Sequence, residues 1–214
     1  MKPLTILFLL FSLGVLGQQP EYPDSGFTNK AEARNLTVNG LKEGKWIEKI
    51  GIGTTFTKAT GDIANDSVYY LTVYKKGKPV GIQRDYRMNG KLLDVKPYTN
   101  GLENGVERGY YENGTIESES PYSSGKKNGM QKIYFENGTL RCEVLATDGK
   151  YNGVMKSYYK SGKLSSEYNY SNGKLVGMQR EYYENGKTKT EITFKDDKPE
   201  TMKHFDENGN EIKQ

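Results

Sequence analysis

Tyrosines and cations fall in columns along this chain. Tyr86, Tyr110, Tyr134, Tyr158 and Tyr182 stand 24 residues apart, and so do Arg108, Lys132, Lys156 and Arg180. Aromatic rings beside ammonium and guanidinium groups can stack on sugar rings, hold an extended peptide or meet acidic headgroups. The same tyrosines can instead pack on the aliphatic stems of neighbouring Lys and Arg, a purely structural use.

Groups for covalent chemistry do not converge. His204 is the single histidine, so no metal-ligand cluster assembles around it. Cys142 is the single cysteine, which excludes an internal disulfide, and its place between Leu140 and Val144 reads as a small buried hydrophobe. Glu117 and Glu119 share a strand face and could act as a carboxylate pair, but pairing of Glu119 with Arg108 is favoured. Residues 51–62, "GIGTTFTKATGD", contain glycines without the lysine or the strand–helix setting of a phosphate loop. The sequence therefore predicts no catalytic residue, no metal, no cofactor and no enzymatic activity.

What positions the columns is a repeat. Gly81, Gly105, Gly129, Gly153 and Gly177 are 24 apart, as are Gly90, Gly114, Gly138, Gly162 and Gly186, and Gly77, Gly101, Gly125, Gly149 and Gly173. The unit reads G-[VM]-x-[KR]-x-Y-[YF]-x-N-G-x-[LI]-x-x-E. Asn113-Gly114, Asn137-Gly138 and Asn185-Gly186, with Ser161-Gly162 as a weaker form, are expected as two-residue hairpin turns with both residues at positive φ. The "SSGKKNG" and "SNGKLVG" segments are expected as longer returns. That register sets Arg108 opposite Glu119, Lys132 opposite Glu143, Lys156 opposite Glu167 and Arg180 opposite Glu191, while Arg84 faces Val95.

Alternation assigns the faces. The cation, Glu and Tyr86/110/134/158/182 columns share one. Tyr111, Phe135, Tyr159 and Tyr183, with Ile116, Leu140 and Leu164 opposite them and Tyr98, Tyr122, Tyr170 and Phe194 beyond, share the other, which should be better buried. An apolar content of 34%, a mean hydropathy of −0.81, 17 Tyr and 25 Gly suit a polar β-structure rather than a thick core. The expected fold is all-β: an elongated single-sheet antiparallel β-meander of 24-residue hairpin repeats.

These units resemble the MORN-repeat variant family, through residues 40–46 and then 77–209, with the glycine columns and "YYENG" carrying the likeness. The resemblance implies an elongated β-meander without enzymatic activity of its own. Many bacterial members are YwqK-like antitoxin components of toxin–antitoxin pairs, which implies binding a protein, here a toxin. The hairpins are also similar to the aromatic-glycine repeats of choline- and glucan-binding wall modules, although those are Trp-rich and this chain has only Trp46.

Residues 1–17 read as a signal peptide: Met1-Lys2, an apolar Leu4–Leu16, and a cleavage site near Gly17. No Cys follows it, so no lipid anchor is expected. Residues 18–38 are expected as a loose leader, 39–65 as a degenerate first repeat with an irregular insert, and 66–214 as the array with a half-repeat cap. Charges are interleaved rather than blocked, which speaks against nucleic acid. The expectation is an exported, periplasmic or extracellular protein that binds or scaffolds another protein at the cell envelope. The alternative is a carbohydrate or cell-wall module using the tyrosine column; an acidic membrane surface is disfavoured. Five N-x-[ST] sequons occur, at Asn35, Asn65, Asn113, Asn137 and Asn169; they would matter in a eukaryotic secretory route, whereas an Asn-Gly turn followed by a strand Thr makes a sequon automatically.

Overall fold

Short alternating segments between closely spaced turns leave little chain for anything except strand. The computed structural model describes residues 27–50, 68–195 and 197–213. Its 19 described strands form an antiparallel sheet in which each long strand pairs with the next long strand in sequence, and each internal two-residue strand pairs with the same preceding strand as the long strand that follows it. This is the expected single-sheet meander. The proposed signal peptide, the insert and Asn65 lie outside the described residues.

One repeat shows the construction. A strand Gly105–Tyr110 runs into a loop and returns as Ile116–Ser123. Ser124 and Gly125 turn the chain into the two-residue strand Lys126–Lys127, and Gly129–Tyr134 begins the next unit. The two turns are the reverse of the expected assignment. Ser124 and Gly125 have φ of 50° and 79°, Asp148 and Gly149 have 50° and 83°, and Asn172 and Gly173 have 52° and 83°. These are the two-residue turns with both centres left-handed. At the Asn-Gly sites only the glycine is left-handed, with φ +86° at Gly114 and +83° at Gly138. Tyr111 N–H donates to the Thr115 carbonyl at 2.9 Å and Gly114 N–H to the Tyr111 carbonyl at 3.0 Å. The loop thus has three residues, and Asn113 stabilises it by accepting from Thr115 N–H at 2.9 Å.

A three-residue loop shifts the pairing by one, so Tyr110 faces Ile116. Glu117 then bulges from the ladder, and beyond it Gly109 faces Ser118 and Arg108 faces Glu119. Loop and bulge cancel. The expected register holds past the bulge, but the side chains next to the turn change faces. Ile116, Leu140 and Leu164 lie across from Tyr110, Tyr134 and Tyr158, on the tyrosine–cation face rather than the opposite one.

Burial is thin and divided. Between residues 110 and 195 the closed positions are Gln131, Val144, Ala146, Gln179 and Thr190, all on the face opposite the cations. Toward the N-terminus, Leu71 and Ile82 are closed on the cation face, together with Phe27 from the preceding segment. Residues 27–38 are not the expected loose leader. Asn35 uses both ends of its amide on the Ile47 backbone, accepting at 2.9 Å and donating at 3.5 Å, and Leu36–Val38 forms an edge strand. At the other end, Gly209 N–H donates to the Asp206 carbonyl at 2.9 Å, closing a last hairpin onto Glu211–Ile212. Lys198, Pro199 and Lys203 lie on that terminal hairpin, suited to guarding an edge.

Candidate functional site

The four expected cation–Glu pairs are segments of one longer row. Glu119 faces Arg108 within its hairpin and Lys132 of the next hairpin. The row continues through Glu143, Lys156, Glu167, Arg180 and Glu191 to Lys203, alternating in sign at every strand. At its other end Val95 faces both Arg84 and Arg108, and the alternation stops. Side chains close at Arg108–Glu119 (3.0 Å), Arg180–Glu191 (2.9 Å) and, more loosely, Lys156–Glu167 (3.9 Å). Lys132 stands between Glu119 and Glu143 in backbone register, without a close ion pair among the described residues. Half-exposed pairs of this kind contribute roughly 0.2–1 kcal/mol each.

The tyrosine column is tied into this row. Tyr134 donates its hydroxyl to Glu119 at 3.0 Å, Tyr158 to Glu143 at 3.0 Å and Tyr182 to Glu167 at 2.9 Å. Burial, then the hydrogen bond to Glu119, pushes the Tyr134 phenol up to about 12, and Tyr158 and Tyr182 are raised for the same reasons. Tyr110 has Val95 where its neighbours have Glu, and burial raises it despite the nearby Arg108. Tyr86 stacks on Tyr69 with centroids 5.2 Å apart. All five rings are half-buried. Their hydroxyls at 134, 158 and 182 serve the sheet itself, which weighs toward the structural use of the column.

A second tyrosine set fastens repeat to repeat. Tyr111 donates to the Tyr134 carbonyl at 2.7 Å, Tyr159 to the Tyr182 carbonyl at 2.5 Å and Tyr183 to the Phe205 carbonyl at 2.8 Å. Phe135 holds the equivalent place without a hydroxyl.

Next to the charged row lies a feature that the sequence reading passed over. Val106, Pro121, Met130, Leu145, Val154, Asn169, Met178 and Thr193 form the adjacent row on the same face. Met130, Leu145 and Val154 are each 42% exposed and Met178 41%. The signal was already in the unit, as the [VM] two positions before [KR]. Periodic half-exposed apolar side chains beside interleaved charges make a surface suited to binding a macromolecule.

The opposite face carries polar clusters satisfied from within. Lys96 reaches Asp85 at 2.6 Å, Gln83 donates to Asp85 at 2.7 Å and Thr72 to Gln83 at 3.0 Å. Burial pulls the Lys96 ammonium down, but Asp85 overrides it and the net direction is up. Burial raises the Glu107 carboxyl, and Tyr98, beside Glu103, is pushed up to about 12 by burial first. Cys142 is half-buried, and burial raises its thiol, the setting of an unreactive cysteine. His204 meets Thr190 at 3.5 Å on the terminal hairpin. Among the described residues, no three His, Cys, Asp or Glu are grouped to hold a metal ion, and no helix is long and apolar enough to cross a membrane.

The family model for the MORN repeat variant matches residues 103–124, 127–145, 151–172 and 175–196, four consecutive units. These are the units that carry the alternating row and the apolar row. No curated protein matches the chain.

Proposed function

We propose that this chain is an exported, non-enzymatic repeat protein that binds another protein at the cell envelope. The face carrying the alternating row is its binding surface. One observation carries the reading: Met130, Leu145, Val154 and Met178 form a half-exposed row across the repeats that is apolar except at Asn169, between Val154 and Met178. Such a row lies beside Lys132, Lys156 and Arg180, cations that sequence alone singled out. Repeats of this family are generally non-enzymatic and used for binding, which supports the reading. Export rests on Met1-Lys2 and the apolar Leu4–Leu16. The strict alternation of charge suits a protein surface of mixed sign better than an acidic lipid or polyanion.

Affinity capture from envelope extract tests it, with and without protease treatment of the extract. A captured species that protease abolishes is the expected result. Capture that survives protease and is competed by soluble glycans would overturn the reading and return the tyrosine column to the role of site. A toxin as the partner would be a special case of the same surface.

A further inference from the structure

The apolar row has a period, and the period selects a ligand. Val106, Met130, Val154 and Met178 recur every second long strand, so neighbours are about 9.6 Å apart at ~4.8 Å per strand. An extended β-strand laid along the row presents side chains to it about every 6.7 Å, out of step with the repeat. A polyproline II helix turns once in three residues and about 9.3 Å. Its every third side chain therefore meets the row in phase over the length of the array.

The same face already holds a segment of the chain itself at its N-terminal end. Phe27 is fully buried there, its carbonyl accepts from Arg84 at 3.3 Å, and Lys45 lies over its ring at 5.3 Å. The row beneath is continuous with the exposed one: Ile82 faces Pro97, both closed, and the row runs on through Val106 and Pro121 to Met130. Burial thus falls from Ile82, 5% exposed, to the 41–42% of Met130, Leu145, Val154 and Met178. A polyproline II backbone leaves its carbonyls unpaired, and Lys132, Lys156 and Arg180 stand two residues along from Met130, Val154 and Met178 as donors at the same period.

We infer that the column Met130–Val154–Met178 binds a polyproline II segment of a partner protein that carries an apolar residue at every third position, with Leu145 filling the space between Met130 and Val154. This rests on the protein-binding reading above and names the chemistry of its ligand. The alternating charges add no preference for a single-signed peptide, so the period and the apolar contacts decide recognition.

The test uses the full chain and two labelled peptides followed by fluorescence anisotropy. One is five Leu-Pro-Gln triplets, which place leucine on one edge of the helix. The other is four Leu-Pro-Gln-Pro quartets, which spread it around the helix. The triplet peptide should bind at least tenfold more tightly than the quartet peptide. Val154→Glu should weaken triplet binding at least tenfold, with Met178→Glu as a second variant should the first fold poorly. Ile133→Glu, on the opposite face, should leave it unchanged. Equal affinity for both peptides, or indifference to Val154→Glu and Met178→Glu, would overturn the inference. A sedimenting dimer that Val154→Glu dissociates and the triplet peptide does not would also overturn it, by seating a second copy on the row. If an extract partner requires Val154 and the triplet peptide fails to compete, the polyproline assignment fails and the binding reading stands. If neither responds to Val154, both fail.

Discussion

Gln131 lies buried with its side-chain amide donating to the Pro121 carbonyl at 3.4 Å, and Pro121 has no N–H to offer the glutamine's oxygen in return. Two repeats on, Gln179 occupies the same place, and its carbonyl accepts from Asn169 N–H. Both glutamines turn their amide N–H groups to backbone carbonyls, Gln131 to Gly129 at 3.2 Å and Gln179 to Gly177 at 3.2 Å. Pro121 is the counterpart of Asn169, so the acceptor on Gln131 is orphaned. The proline survives inside the sheet because the facing chain bulges at Asn128-Gly129, and a side chain rather than a strand would have met its N–H.

Replacing Pro121 with Asn should therefore couple to Gln131. An unsatisfied buried acceptor costs about 1–3 kcal/mol, against which losing a proline costs about 0.4–1 kcal/mol through the unfolded chain. Pro121→Asn should be more favourable by about 1 kcal/mol with Gln131 present than in the Gln131→Met chain, Met being the natural occupant at Met155. Denaturant titration of the four chains checks this; additive effects would mean that the acceptor has found another partner.

The inter-repeat tyrosine hydroxyl makes a second, independent prediction. Phe135→Tyr should add the bond to the Tyr158 carbonyl that Tyr111 makes to Tyr134, and raise stability by about 0.5–1.5 kcal/mol. Tyr159→Phe should lose a similar amount. Thermal melts compare them.

Turn chemistry gives a third. Gly138 has φ +83° and open space where a Cβ would stand, so the cost of Gly138→Val comes from backbone strain alone. About 1–2 kcal/mol of destabilisation is expected. An unchanged melting temperature would contradict the loop assignment.

Exchanging Lys132 and Glu143 together should not restore stability. Each has a second neighbour in the row, so the exchange sets a carboxylate beside Glu119 and an ammonium beside Lys156. A deficit of roughly 1 kcal/mol is expected at low salt and should shrink as salt is added. Full recovery would mean isolated pairs instead of a continuous row.

Alkaline pH should unfold the array. Tyr98, Tyr134 and Tyr168 are pushed up to about 12 by burial first, with carboxylate neighbours adding to it. A phenol whose folded value is raised contributes stability that is complete below its unfolded value near ~10 and declines as pH rises toward its folded value. Absorbance of phenolate at 295 nm, read with circular dichroism from about pH 9 to 12.5, should show delayed, cooperative titration coincident with loss of strand signal. Glu107 acts at the other end. Its carboxyl is raised by burial, so its contribution is complete below the ordinary glutamate range and declines as pH rises through the folded value. Glu107→Gln should remove that decline.

Much of this was legible in residue order. The glycine columns fixed the repeat, and Arg108, Lys132, Lys156 and Arg180 found their glutamates because loop and bulge shift the register by equal and opposite amounts. The same cancellation hid the faces of Ile116, Leu140 and Leu164, since a bulge at Glu117 leaves no mark in composition. Asn-Gly misled because a glycine in the left-handed region serves two loop lengths, whereas Ser124-Gly125 carried the two-residue turn under a weaker signal. Lys132 opposite Glu119 required pairing between hairpins, which turn arithmetic inside one hairpin cannot reach. Met130 and Val154 were visible as a [VM] column, but their exposure depends on what covers a single-layer sheet, which a strand's own alternation does not reveal.

The most direct test of the binding face compares two equally exposed apolar residues on opposite sides of one sheet. Val154 and Ile133 are each 42% exposed, Val154 in the row beside the charges and Ile133 facing the other way. Capture of the envelope partner should be lost with Val154→Glu and retained with Ile133→Glu, both chains melting as the unmodified protein does. Loss with Ile133→Glu and retention with Val154→Glu would place the binding surface on the other face.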